Sequence, residues 1–330
     1  MDVNINPPAG RGETLLNRVL ASPLGTDGEI AKVILAHPRV DVNSRNECFR
    51  GQCMQSTCGD TPLHIAVRTR KVEFVKMLLN REDVDVNVRN KEHHGSMDSM
   101  KWTCGDTPLH VAIRTRNVEF VKMLLSREDV DVNVRNGKDN APIALAVGDK
   151  EIFGLLLDHK DVNINSPLAR GMILQLAVEW RMLAASPDVV RKLAMHERLD
   201  VHSPSYNHCP VLVWAGGSGN PQLVKLLLAR DDTDVNATCP RGCTSLHFCL
   251  SHGQKIEDDA DSREVLKLLL SQKDINVEVR DNEGRTPAST AEKRGISKLY
   301  KQVLAATEVH RQTTTGSAAN TGLSKRCVLM

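Results

Sequence analysis

The sequence predicts an all-α repeat fold, a solenoid of paired antiparallel helices joined by β-hairpin-like fingers. Three observations lead there. Residues 59–79, GDTPLHIAVRTRKVEFVKMLL, return at 105–125 as GDTPLHVAIRTRNVEFVKMLL. An Asp-Val-Asn phrase recurs along much of the chain. Aromatic residues make up only 3% of 330, against 41% hydrophobic overall, so the core must come from Leu, Val, Ile and Ala, which suits thin helical layers.

Each element of the unit has a local cause. Thr61 is a good N-cap, and Pro62 fits the first helical position, where its missing N–H costs nothing. Leu63, Ala66 and Val67 recur at helical spacing, and the small Ala66 lets a neighbouring helix approach. Arg68 and Arg70 fall in the last turn, where cations favour the helix C-terminus. A second helix follows with Val75, Leu78 and Leu79 on its buried face. REDVDVNVRN then alternates like an extended strand and ends in turn residues. Between Thr57–Asn90 and Thr103–Asn136, 30 of 34 positions are identical. One such unit is too small to bury its own apolar face, so copies must stack.

More divergent copies lie elsewhere. The finger phrase returns at Asp2-Val3-Asn4, Asp41-Val42-Asn43, Asp161-Val162-Asn163, Asp200-Val201-His202, Asp234-Val235-Asn236 and Asp274-Ile275-Asn276. First helices open at APIALA (141–146), TSLHFC (244–249) and TPASTA (286–291). Second helices are expected around AKVIL (31–35), DVVRKL (188–193), QLVKLLL (222–228) and REVLKLLL (263–270). The count is about eight units over residues 1–306, the first and last imperfect, followed by a flexible tail at 307–330. DVNINPPAGRG (2–12) and DVNINSPLARG (161–171) agree at eight of 11 positions, so the chain is expected to start with the tail of a unit.

Thr61-Pro62-Leu63-His64 with Ala66, Thr107-Pro108-Leu109-His110 with Ala112, and the Val-x-x-Leu-Leu runs resemble the ankyrin repeat family. The resemblance covers roughly residues 2–306. It implies a curved array that binds other proteins through finger tips and the exposed side of each first helix. It implies that His64, His110 and His247 bridge helix start and finger by hydrogen bonds. It also implies that Asn87 and Asn133 are open to hydroxylation by a dedicated oxygenase; a turn residue with local hydrogen bonds is the simpler alternative. The family usually ends the first helix in Gly. Gly219, Gly253 and Gly295 keep that rule, whereas Arg70 and Arg116 break it, so their units need a different turn or local strain. Two long fingers, Glu47–Cys58 and Lys91–Cys104, replace tight turns. About seven extra residues, with Glu257, Asp258, Asp259 and Asp261, fall between the helices of the seventh unit. The segment 166–187 matches weakly.

Composition excludes several classes. A net charge of +2, with no basic run beside stacking aromatics, argues against nucleic acid. No segment reaches the roughly 18 apolar residues of a membrane span, and the N-terminus lacks a secretory h-region. Nine cysteines without an export signal predict free thiols in a reducing compartment, cytoplasm by default with the nucleus as alternative. No nucleophile stands at fixed spacing from the repeat histidines, so no enzyme, cofactor or small-molecule substrate is expected. Cys239, Cys243, His247 and His252 are spaced too closely for a familiar zinc finger. Cys48, Cys53 and Cys58 on one long finger, with His93, His94 and Cys104 on the next, leave a zinc or redox site open as a lesser alternative. AGGSGNP (215–221) lacks phosphate-loop spacing and reads as a helix–helix turn.

The function expected is that of a non-enzymatic scaffold or adaptor. Arg45, Arg89 and Arg135 repeat on successive fingers, with Arg68 and Arg114 behind them. That ladder suggests an acidic peptide or acidic surface as partner, a solvated rim being the alternative. The chain ends Cys327-Val328-Leu329-Met330, a C-a-a-X pattern that predicts a farnesyl group on Cys327. One lipid chain gives only transient membrane attachment. A lipid-anchored regulator is thus the second reading, with an accidental tetrapeptide as its alternative, and a metal- or redox-responsive module on the two Cys/His fingers is the third.

Overall fold

The computed structural model describes residues 6, 8–9, 13–22, 27–46, 59–90, 105–165, 173–174, 187–202, 209–252 and 259–305. The two long fingers, most of 166–187, Gly253, Glu257, Asp258 and the tail with Cys327 lie outside them. The chain divides into two compact units, Met1–Val189 and Val190–Met330. Each is a run of helix pairs, as the repeat predicts.

Unit 1 holds α1 (Leu15–Ala21), α2 (Asp27–Ala36), α3 (Pro62–Arg68), α4 (Val72–Leu79), α5 (Pro108–Arg114), α6 (Val118–Leu125), α7 (Pro142–Leu145) and α8 (Lys150–Leu157). First helices pack in one layer, α1 on α3, α3 on α5 and α5 on α7. Second helices form the other, α2 on α4, α4 on α6 and α6 on α8. Ala66 and Ala112 have no exposed surface, which is what lets the first helices approach. Phe74, Val75, Leu78 and their equivalents Phe120, Val121, Leu124 fill the space between the layers.

Both helix ends follow from identified residues. Thr61 and Thr107 are extended N-caps followed by proline. At the other end, Arg70 and Arg116 take left-handed backbone, φ 58° and 50°. Lys71 N–H reaches Ala66 O at 3.0 Å and Arg70 N–H reaches Val67 O at 3.2 Å. The pattern repeats at Asn117 and Arg116, and at Ile296 and Gly295. This is the Schellman turn of a glycine C-cap with arginine at the left-handed position. The arginines therefore use the same turn and carry strain, on the order of 1–2 kcal/mol each.

The fingers differ from the hairpins expected. Among the described residues the only strand pair is Pro8–Ala9 with Glu13–Thr14, antiparallel. REDVDVN and its copies form consecutive turns instead. Their alternation comes from Val84, Val86, Val130 and Val132 facing the core, while the Asp side chains accept backbone N–H groups two residues on. The extended pattern was produced by burial, with side-chain hydrogen bonds where a strand ladder was expected.

Unit 2 holds the bulk of α9 (Pro187–Ala194), then α10 (Val211–Gly217), α11 (Pro221–Leu228), α12 (Ser245–His252), α13 (Ala260–Leu270), α14 (Pro287–Lys293) and α15 (297–305). AGGSGNP covers the end of α10, the connecting turn 218–220 and the first residue of α11, with Gly219 at φ 64°. A Cβ at Gly216 would sit 2.5 Å from Ser245 O, so only glycine allows α10 to lie this close to α12. Asp259 caps α13, and Asp261 lies in the first turn of that helix. No helix among the described residues is long and apolar enough to cross a membrane.

Candidate interaction surface

Beneath the fingers of unit 1 runs a chain of buried polar side chains. His64 and His110 are fully buried. Thr61 N–H lies 3.2 Å and Thr61 Oγ1 2.8 Å from His64 Nδ1, so Nδ1 accepts and Nε2 carries the hydrogen. Nε2 then donates to Asp106 O of the next unit at 2.9 Å. His110 repeats this with Thr107 and Asn140 O, and His247 of unit 2 with Thr244 and Arg285 O. Burial pushes the pKa of His64 and His110 down, which keeps both rings neutral. With both ring nitrogens engaged, these histidines have no lone pair left for catalysis or metal.

The residue before the Thr61 and Thr107 caps is an aspartate. Asp60 and Asp106 have fully buried side chains. Arg68 Nη2 lies 3.0 Å from Asp60 Oδ2, and Arg114 Nε lies 2.8 Å from Asp106 Oδ2. Asn90 Nδ2 donates to Asp60 at 2.9 Å and Asn136 Nδ2 to Asp106 at 2.8 Å. Asn90 Oδ1 accepts Asp106 N–H at 2.8 Å, so one amide joins two units. A buried carboxylate is tolerated only with such a complete set of donors.

Two further bridges tie the outer edge of each unit to the next. Asn87 Nδ2 donates to Asp129 O at 2.7 Å while its Oδ1 accepts Asp131 N–H at 2.8 Å. Asn43, Asn133 and Asn236 do the same to the fingers that follow them. Arg127 holds Asp129 with Nε and Nη2 and gives Nη1 to Leu79 O and Arg81 O, ending α4 of the preceding unit. Arg81 and Arg230 act alike on Leu35 O and Ala194 O. An Arg-x-Asp spacing (81–83, 127–129, 230–232) was the available sequence signal for this staple.

Unit 2 replaces the aspartates with thiols. Cys209 precedes the N-cap Pro210 as Asp60 precedes Thr61, and Cys243 precedes Thr244 as Asp106 precedes Thr107. Cys239 takes the place of Asn90: its N–H bonds Cys243 O at 2.9 Å, as Asn90 N–H bonds Asp106 O at 2.8 Å. Gly217 and Ser251 stand where Arg68 and Arg114 do. Burial pushes the thiols of Cys209 and Cys243 up to about 11, with Cys239 beside both. No group of three His, Cys, Asp or Glu among the described residues is set to hold a metal ion.

The model for ankyrin repeats (3 copies) matches residues 19–136, 90–167, 174–281 and 212–313. The chain belongs to the ankyrin repeat family. Among solved structures it is similar to the ankyrin repeat domain of Bcl-3, of the IκB protein family, at 20% identity and a TM-score of 0.57, over 74% of this chain and 99% of that one. It also matches an ankyrin repeat domain from Acinetobacter baumannii AYE at 20% identity and a TM-score of 0.39, over 75% of this chain and 97% of that one. No curated protein sequence matches it.

Within these ankyrin units the predicted arginine ladder splits. Arg45 and Arg89 are exposed on successive fingers. Arg89 also donates from Nε to Gly105 O at 3.2 Å. Arg135 is half-buried and pairs with Asp139 at 2.7 Å. Arg68 and Arg114, assigned to the partner from sequence, are only 22% and 21% exposed and are occupied by Asp60 and Asp106. They are pieces of the ankyrin interior, because a buried carboxylate outcompetes solvent for the nearest guanidinium. Cys48, Cys53, Cys58, His93, His94, Cys104 and the side chain of His252 lie outside the described residues, as does the lipidation candidate Cys327.

Proposed function

We propose that this ankyrin chain is a non-enzymatic interaction module whose fingers hold a partner through an acidic peptide or acidic surface. Ankyrin repeat domains mediate protein–protein interaction, and that coarse function carries over with the family. The observation supporting the finer reading is the exposure of Arg45 and Arg89 at one repeated position. Arg135 is a weaker contributor, since Asp139 competes for it. An exposed guanidinium pair at a repeat spacing suits planar, bidentate carboxylate recognition.

The test is a titration of the full chain with a fluorescent poly-glutamate peptide at low and high salt. The Arg45→Glu, Arg89→Glu double variant should bind at least about tenfold more weakly, the loss shrinking as salt screens both forms. Equal binding by the double variant and the wild type rejects the acidic-partner reading.

A second reading rests on Cys327-Val328-Leu329-Met330. A prenyl group there would bring the fingers to a membrane transiently, because a single chain gives marginal affinity. Fractionation of cells expressing the N-terminally tagged chain tests it. The wild type should partition partly with membranes and Cys327→Ser should not; equal solubility removes the reading.

A further inference from the structure

Two stretches of unit 2 bring three thiols to one point. Cys209 and Cys239 are 6% and 4% exposed and pack with Val213, while the half-buried Cys243 and Phe248 close over them. None of the three is bridged. Cys239 packs against both of the others. The backbone already holds one pair together. Cys239 N–H donates to Cys243 O at 2.9 Å, and Gly242 N–H returns to Cys239 O at 2.8 Å with Gly242 at φ 73°. Residues 239–243, Cys-Pro-Arg-Gly-Cys, therefore form a closed turn whose two ends carry thiols. At the equivalent finger of unit 1 the same backbone pair is flanked by Asn90 and Asp106, which cannot be oxidised. Cys243 is the member that solvent reaches; its Sγ lies 3.9 Å from Arg241 O and 4.0 Å from Asp281 Oδ2.

We propose that the Cys239–Cys243 turn is a reversible disulfide site, closed by a hydroperoxide that enters at Cys243. The Cys243 sulfur attacks the peroxide oxygen and breaks the O–O bond, giving Cys243 sulfenic acid and releasing an alcohol, or water from hydrogen peroxide. The Cys239 sulfur then attacks the sulfenic sulfur; the S–O bond breaks, the hydroxyl leaves as water with the thiol proton, and the S–S bond forms. Two thiols supply the two electrons that the peroxide takes. Burial keeps the Cys243 thiol protonated at neutral pH, so only its minor thiolate fraction reacts and the site answers sustained oxidant rather than traces. The bond fastens the finger whose own Asn236 amide bridges to Asp274 O of the next one. Oxidation would thus stiffen part of the recognition edge without moving a helix. This inference does not depend on the acidic partner.

The full-length protein is treated with hydrogen peroxide under native conditions, alkylated, digested without reductant and mapped by mass spectrometry. A Cys239–Cys243 linked peptide should accumulate, persist in Cys209→Ser, and return to two alkylated thiols with dithiothreitol. In Cys239→Ser the linkage should vanish and Cys243 should advance to sulfinic acid. Circular dichroism of each variant, matched to the wild type, verifies folding. Accumulation of sulfinic acid at Cys243 in the folded wild type, or a Cys209–Cys239 bond in its place, overturns the proposal. So does a Cys239–Cys243 linkage that appears only after denaturation.

Discussion

At the position before the first-helix cap, unit 1 carries Asp60 and Asp106 and unit 2 carries Cys209 and Cys243. Eight residues on, unit 1 carries Arg68 and Arg114 and unit 2 carries Gly217 and Ser251. Charge leaves these positions as a set. A buried aspartate without its arginine is expensive, and an arginine without its aspartate has no reason to lie against the core. The thiols need no counter-ion, so the helix above them can shrink to glycine and approach its neighbour. At these first-helix positions the two units thus reach the same stacking by opposite routes, one by satisfying buried charge and the other by removing it. Unit 2 still keeps a buried carboxylate in its last finger, Asp281, paired with Arg285 at 2.7 Å.

The sharpest way to break this comparison is truncation at the equivalent positions. Asp106→Ala strands Arg114 and Asn136 and should cost about 3–5 kcal/mol in urea unfolding. Cys243→Ala removes a half-buried thiol and should cost about 1 kcal/mol or less. Equal costs would mean that the charge set in unit 1 contributes nothing special.

Next comes packing. Gly216→Ala drives a methyl into Ser245 O and should cost about 1–3 kcal/mol. The equivalent position in unit 1 is Val67, which is itself fully buried, so that helix pair needs no such clearance. A neutral Gly216→Ala would show that α10 and α12 separate freely.

Acid sharpens the contrast by way of the unit 1 histidines. Their folded pKa lies below the unfolded value near 6.5, so the unfolded chain binds more protons as pH falls below that value. Stability is therefore full above about pH 6.5 and is lost on acidification towards the folded pKa, at up to about 1.4 kcal/mol per pH unit per histidine. Melting temperatures between pH 7.5 and 5.5 should fall, and the His64→Gln, His110→Gln double variant should fall less steeply over that range. Parallel curves would remove these rings as the cause.

The smallest effect concerns the turn between paired helices. Arg116→Gly relieves a left-handed arginine and should gain about 1 kcal/mol, while Gly219→Arg in unit 2 should lose a similar amount. If both changes are neutral in thermal melts, the positive φ carries no strain.

Much of this was readable beforehand. Thr-Pro-Leu-His carried the cap, the first turn and the bridging histidine in four letters, and Ala66 announced close helix approach. What sequence could not show was which charges face inward. Arg68 and Arg114 look like surface residues because their burial depends on Asp60 and Asp106, whose own burial follows only from the stacked neighbour. The same blindness hid Arg81 and Arg127, whose acceptors are carbonyls of the preceding unit. The thiol cluster was missed for a related reason. Cys239 and Cys243 were compared with metal spacings along the chain, whereas the third member, Cys209, arrives from another repeat. Contacts within a unit show as spacing; contacts between units do not.

Three described fingers of unit 1 share one backbone bond at the neck whatever the loop beyond it. Asn46 N–H meets Asp60 O at 3.0 Å, Asn90 N–H meets Asp106 O at 2.8 Å, and Asn136 N–H meets Asn140 O at 3.0 Å. The first two span long insertions and the third a tight turn, yet the His64 and His110 bridges beneath are alike. Loop length is thereby insulated from stacking. The fingertips are ports where sequence can be added, deleted or exchanged, and where new specificity can evolve or be grafted, while the neighbouring repeats keep their register.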